Sequence, residues 1–178
     1  RKVPIERTSR RTRRSVLPDT GSMNRLRRSG ESFSQTSREE RMDLLQAILD
    51  EFSKRFDDVA EAIMDEMGAP WGLARDAQAA SGTQHIKAAL RALEHYEFKE
   101  TIRTNIVVRE PIGVCGLITP WNWPMNQIAV KVAPALAAGC TMVLKPSEIA
   151  PFDAIIFAEV LDAAGVPWTP GRTVQGSE

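Results

Sequence analysis

The sequence predicts an α/β fold, a helical lead-in followed by an incomplete parallel sheet with helices packed on it, and three observations carry that reading. Apolar residues recur at helical spacing between Ser37 and Tyr96. From Asn105 onward the pattern changes to short, β-branched apolar runs. From Gly113 these runs alternate with helical stretches in units of roughly 30 residues, the rhythm of a doubly wound sheet.

The elements follow in order. Ser37-Arg38-Glu39-Glu40 is a capping box, in which the Ser37 hydroxyl accepts from the backbone near Glu40 and the Glu40 carboxylate accepts from the Ser37 amide. A helix therefore starts there. Leu44, Leu45, Ile48, Leu49, Phe52, Phe56, Val59, Ile63 and Met67 extend it as a helical hairpin or a bent long helix, which Gly68-Ala69-Pro70 ends. A second helical stretch runs from about Gly72 to Tyr96, weakened near Gly82, and presents Ile86, Leu90 and Leu93 to a core. Asn105 to Glu110 reads as a short strand and Gly113 to Ile118 as a fully buried one. Pro124 to Ala138 is a helix opened by proline and closed by Gly139; Cys140 to Leu144 is the next strand, and Pro151 to Ala164 a helix stopped by Gly165.

At 178 residues, 43% of them hydrophobic, the chain can bury one core of ordinary size. Its formal net charge is zero, so there is no global case for nucleic acid or a membrane surface as partner. The charge is unevenly spread. Residues 1–30 hold ten Lys and Arg against Glu6 and Asp19, a surplus of eight, so residues 1–32 are expected to form a disordered basic arm. Three readings of that arm stand open: a segment without function translated out of frame, a transit peptide, or a nucleic-acid arm, the last without interleaved aromatic residues to stack bases. The two cysteines, Cys115 and Cys140, are too far apart in sequence for a CxxC pair, which argues against a zinc site and a disulfide framework and points to a reducing, cytoplasmic setting. No metal site is expected. No apolar stretch reaches the roughly 18 residues of a membrane helix.

In sheets of this kind ligands bind beyond the carboxyl ends of the strands, which singles out the segments after Ile118 and after Leu144. Thr119-Pro120-Trp121-Asn122-Trp123-Pro124 is a stiff turn carrying two indoles and an amide. Lys145-Pro146-Ser147-Glu148 holds a cation and an anion three residues apart on a proline-stiffened turn. Such a pair can hold a ribose, with the acid disfavouring a 2′-phosphate, and so favours NAD over NADP. The plainer alternatives are that Asn122 caps the helix beginning near Pro124, and that Lys145 and Glu148 form a surface ion pair worth little. There is neither GxGxxG nor a P-loop, so no phosphate-binding glycine motif supports a nucleotide.

Taken together, Pro111 to Pro124, Lys131-Val132-Ala133-Pro134-Ala135-Leu136-Ala137-Ala138-Gly139-Cys140 and Lys145-Pro146-Ser147-Glu148 closely resemble the aldehyde dehydrogenase superfamily. The resemblance covers residues 33–167 and implies part of a Rossmann-like NAD(P)-binding domain with its helical lead-in. It implies that Ile118, Thr119, Pro120 and Trp121 line the nicotinamide end of the cofactor and that Lys145, Ser147 and Glu148 meet the adenosine ribose. Asn122 would be the oxyanion donor to the aldehyde during attack by a cysteine thiolate, and Lys131 a proton-relay residue or, equally, a snorkelling helix-face charge.

The departures from the family define the expected function. Its glycine-rich segment, general-base glutamate and nucleophilic cysteine would all follow Glu178, and Cys115 and Cys140 read as small core residues. Residues 168–178 read as a divergent tail, and the two unmatched ends point to a fragment or a disrupted frame. The expectation is a dehydrogenase fragment that retains part of an NAD site, with an aldehyde substrate only in a complete protein. The alternative is a non-catalytic module whose Leu and Phe face, residues 44 to 67, packs on a full-length relative in a homo- or hetero-oligomer. With two strands of a larger sheet, the chain should expose an apolar edge and be only marginally stable.

Overall fold

The computed structural model describes residues 31–167, so the Arg-rich arm and the tail lie outside the described residues, apart from the arm's last two positions. Helix α1 (Arg38–Lys54) begins at Ser37 as the capping box requires: the Glu40 amide donates to Ser37 Oγ at 3.1 Å and the Ser37 amide to Glu40 Oε2 at 2.7 Å. Arg55, at φ −108° and ψ 10°, breaks the path, and α2 (Phe56–Met67) runs on to Gly68 in the left-handed region. The bent-helix expectation is thus met, with the bend at Arg55. Leu45, Ile48, Phe52, Val59 and Ile63 are all buried in the chain's own core. Leu44, Leu49, Phe56 and Met67 of the same face pack against that core and are half-buried.

The next helical stretch opens with the single turn α3 (Trp71–Leu73), passes through a π-helical segment (Ala74–Ala79) and continues as α4 (Ala80–His95). The wide π turn shifts the helical register and puts Ala74, Gln78 and Ala79 into the core. Gly82 does not weaken the helix as the sequence implied. It is a point of close approach, where an added Cβ would sit 2.8 Å from Phe52 Cζ and 2.9 Å from Met125 Cγ.

Two separate sheets follow. Strands β1 (Lys99–Ile102) and β2 (Asn105–Val108) form an antiparallel hairpin, Lys99 opposite Val108, whose turn carries Arg103 at φ 56°. The sequence marks Asn105 to Glu110 as a short strand without its hairpin partner, which the structure supplies as β1. Strands β3 (Val114–Ile118) and β4 (Thr141–Lys145) pair in parallel, from Val114 opposite Thr141 to Ile118 opposite Lys145. Helix α5 (Pro124–Ala137) makes the crossover and α6 (Phe152–Ala163) follows β4. The fold is α/β, with a helical layer against one face of a two-stranded parallel sheet.

Strand β3 is not fully buried. Leu117, Met142 and Leu144 pack on the core, whereas Gly116 and Ile118, on the opposite face, are exposed, Ile118 to 73%. The reason is that helices cover only one face of this sheet among the described residues. Phe52 is the hub of the covered side, edge-on to Phe157 at 5.9 Å between ring centroids and to Phe56 at 6.1 Å. Burying each such side chain contributes about 1.5–3 kcal/mol.

One core residue is out of place. Asp153, in the first turn of α6, has no exposed surface and neither carboxylate oxygen has a well-aligned donor. Burial pushes its pKa to about 7, nearby backbone amides offset only part of this, and the Glu66 carboxylate raises it further. Glu66, itself pushed up mainly by burial, accepts the Phe152 amide at 2.9 Å. Because the folded state holds the Asp153 proton more tightly than the unfolded chain, the stabilisation is fully present below the ordinary aspartate pKa and is lost as pH rises through about 7. The urea midpoint should therefore fall between about pH 5 and about pH 8 by the equivalent of a few kcal/mol. Asp153→Asn should flatten that fall, and an unchanged slope in the variant would contradict this account.

Gly82→Ala should lower the thermal midpoint. Overpacking against Phe52 and Met125 costs about 1–3 kcal/mol, against about 1 kcal/mol gained from helix propensity. A raised midpoint in a thermal melt would show that the α1–α4–α5 contact is looser than described.

Candidate functional site

The parallel register decides what can stand at the carboxyl ends of β3 and β4. Ile118 and Lys145 are cross-strand partners on the open face of the sheet, and the ladder continues one bond further, with the Thr119 amide donating to the Lys145 carbonyl at 3.2 Å. That bond joins the two loops at their roots. Thr119 is buried, and the chain then turns outward so that Pro120, Trp121, Asn122 and Trp123 are all exposed.

Helix α5 opens directly from this turn. Its N-cap is Trp123, whose carbonyl accepts the Gln127 amide at 3.0 Å, and Pro124 occupies the first helical position, where its missing N–H costs nothing. No side chain caps this helix, so Asn122 is not its cap. The Asn122 side chain makes no hydrogen bond among the described residues and is free to donate outward. The unpaired amides of the α5 N-terminus give the same corner a positive bias.

On the β4 side, Lys145 is half-buried and its Nζ donates to Glu148 Oε2 at 3.4 Å and to the Pro146 carbonyl at 3.5 Å. Ser147 Oγ accepts the Ile149 amide at 3.2 Å and fixes the turn. The Glu148 carboxyl is held below its ordinary pKa first by its own backbone amide and then by Lys145. Both plain and functional readings of this pair remain compatible with the geometry, since the ion pair exists and both side chains reach solvent.

The structure thus joins Ile118, Thr119, Pro120, Trp121 and Asn122 to Lys145, Ser147 and Glu148 at one sheet end. Lys131 stands apart, about two turns along α5, where its ammonium donates to the Gln127 carbonyl at 3.1 Å and to Gln127 Oε1 at 3.0 Å. It is held by its own helix. The sequence reading missed a polar contact beside the turn: His85 Nε2 from α4 lies 3.1 Å from Asn126 Nδ2 in the first turn of α5, the donor being set by the histidine tautomer. No local pattern announces it, because the partners are 41 residues apart in sequence.

Neither thiol belongs to this corner. Cys115 and Cys140 are free, and Cys115 lies within the strand, its thiol pushed up by burial first and by neighbouring Cys140 second. A thiol so shifted is a poor nucleophile. Among the described residues no three His, Cys, Asp or Glu side chains are grouped to hold a metal ion, and no helix is long and apolar enough to cross a membrane.

Chemically, the corner offers an amide donor at a helix N-terminus beside a lysine and a carboxylate on an adjoining turn. That is a suitable lining for a hydroxylated, phosphate-bearing ligand laid across two loops.

Known proteins share this sequence pattern and this fold. The model of the aldehyde dehydrogenase family matches residues 23–178. The chain is 56% identical over 142 residues to 3-succinoylsemialdehyde-pyridine dehydrogenase of Pseudomonas sp, covering 79% of this chain and 30% of that protein. The crystal structure of an aldehyde dehydrogenase from Bartonella henselae superposes with a TM-score of 0.79 at 48% identity, over 82% of this chain and 31% of that one. Aldehyde dehydrogenase C of Pseudomonas syringae, a mutant solved with NAD+ and octanal, gives 0.78 at 44% identity, over 80% of this chain and 29% of its own. The chain therefore spans about a third or less of the length of these relatives, and within that span it belongs to the aldehyde dehydrogenase family.

Proposed function

We propose that this chain is part of the cofactor-binding domain of an NAD-dependent aldehyde dehydrogenase and that by itself it binds NAD without oxidising aldehydes. The observation that carries the reading is the bond from the Thr119 amide to the Lys145 carbonyl, which roots the amide-bearing turn and the Lys145–Glu148 turn at one edge. In this reading Ile118, Thr119, Pro120 and Trp121 lie along the nicotinamide half. Lys145 donates to one ribose hydroxyl, Glu148 accepts from another, and Ser147 holds their turn. NAD supplies the hydride acceptor when bound.

Asn122 has the chemistry of an oxyanion donor: an exposed amide without an internal partner, at the positive end of α5. Its N–H would reach the aldehyde oxygen as negative charge develops there. Lys131 gives two of its three N–H groups to Gln127 and keeps the third for a proton relay. The nucleophile is assigned to a segment beyond this chain, since Cys115 and Cys140 face the core.

Isothermal titration should show saturable NAD+ binding by the full chain, abolished by Lys145→Ala with Glu148→Ala. Absence of binding, or binding unchanged in that variant, would overturn the assignment. The Glu148 carboxylate should make NADP+ bind at least about tenfold more weakly than NAD+ through repulsion of the 2′-phosphate, and Glu148→Gln should narrow that gap.

In a full-length family member carrying this segment, Asn122→Ala should lower kcat by about 10²–10³. An unimpaired rate would remove Asn122 from the reaction.

A further inference from the structure

At the opposite end of the parallel sheet, near the amino ends of β3 and β4, lies a cavity of about 490 Å³ between the approach to α1 and the end of the hairpin. Arg38, Arg41 and Arg109 line it, and Glu110 is the one acid on its wall. Arg38 is paired with Glu39 and Arg109 with Glu100, whereas Arg41 has no ion-pair partner within the same distance among the described residues. The cavity is separated from the cofactor corner by the length of the strands, since Pro111 precedes β3 whereas Thr119 and Lys145 stand at the other end.

Arg41 is the central member. It is 95% buried by side-chain and main-chain surface together, with only 5% exposed, yet its three acceptors are all neutral: Thr36 Oγ1 at 2.9 Å, the Ser34 carbonyl at 3.0 Å and the Ala137 carbonyl at 3.4 Å. A guanidinium has five N–H groups, so two remain for another acceptor. The carbonyl end of α5 offsets part of the charge, and Cys140 and the Glu40 carboxylate act in the same direction, but burial outweighs them and lowers the Arg41 pKa. A buried cation with no carboxylate hydrogen-bonded to it is a costly arrangement. An anion in the cavity would relieve it.

The other two arginines keep N–H groups in reserve. Arg38 gives Nε to Glu39 and Nη1 to the Glu94 carbonyl; Arg109 gives Nη1 to the Glu97 carbonyl and Nη2 to Glu100. Phe98 lies against the Arg41 guanidinium at 5.4 Å and Tyr96 against that of Arg109 at 5.9 Å. Stacked guanidinium faces leave their N–H edges available, and those edges match the oxygens of phosphate or carboxylate.

We propose that this cavity is an oxyanion-binding site, in which Arg38, Arg41 and Arg109 together hold a small phosphate- or carboxylate-bearing molecule. The test follows thermal unfolding of the full chain during titration with inorganic phosphate or with succinate, against sodium chloride at matched ionic strength. The expected result is a saturable rise in midpoint with at least one of the two oxyanions and none with chloride. The phosphate and succinate arms tell which oxygen geometry is preferred. Combining Arg38→Gln with Arg109→Gln should raise the half-saturating concentration at least about tenfold, the equivalent of about 1.4 kcal/mol. If that double variant lacks a cooperative transition, Arg109→Gln alone should show a weaker shift in the same direction. A rise no greater than chloride gives, or a half-saturation unchanged in the arginine variants, would overturn the proposal.

Discussion

The pairing of β3 with β4 is the constraint on which the rest of this structure depends. Parallel strands cannot be joined by a tight turn, so a crossover helix must return the chain to the starting edge, and α5 does so between Ile118 and Thr141. Register follows from burial. Leu117, Met142 and Leu144 face the helices, and a slip of one residue in either strand would carry that strand's apolar set to the open face. Core packing therefore places Ile118 opposite Lys145, and that in turn places the two loops. The chemistry of the corner is a consequence of apolar residues several positions away.

The helical lead-in is what holds this arrangement from behind. Phe52 of α1 meets Phe157 of α6, and Gly82 of α4 lets Phe52 and Met125 close over it. Arg41 does the corresponding work at the turn between α5 and β4. Gly139 there has φ +79°, and a Cβ on it would come within 2.5 Å of the Arg41 guanidinium carbon. Glycine is needed at that position for its backbone angle and for the space. The buried arginine thus links α1 to the start of β4 and also forms the floor of the cationic cavity, so one side chain serves packing and electrostatics together.

How much of this was legible in sequence depended on how local the cause was. The capping box at Ser37, the proline start of α5 and the glycines after α5 and α6 are effects spanning a few residues, and they were read correctly to within a residue or so. The carboxyl-end rule points to two loops that the parallel register places side by side, and the spacing of Lys145 and Glu148 implies the ion pair that exists. Strand β1 was missed because Lys99-Glu100-Thr101-Ile102 is almost wholly exposed and carries no alternation of polar and apolar residues. Burial of β3 was overestimated because an apolar run reports that a strand can be covered, not that both faces are. The hidden features are mostly long-range: the Asp153 carboxyl beside Glu66, the close approach at Gly82, the contact of His85 with Asn126 and the bond from Arg41 to the Ala137 carbonyl. A residue pattern along one chain does not encode which distant side chain will face another.

Because β3 and β4 are paired in register, their two carboxyl-end loops should act as one surface toward a dinucleotide. Amide chemical-shift mapping of the full chain during addition of NAD+ tests it most directly. The amides of Thr119, Trp121 and Asn122 and those of Lys145, Ser147 and Glu148 should move together along a single saturation curve. Movement of one loop without the other, or two curves with different midpoints, would contradict it.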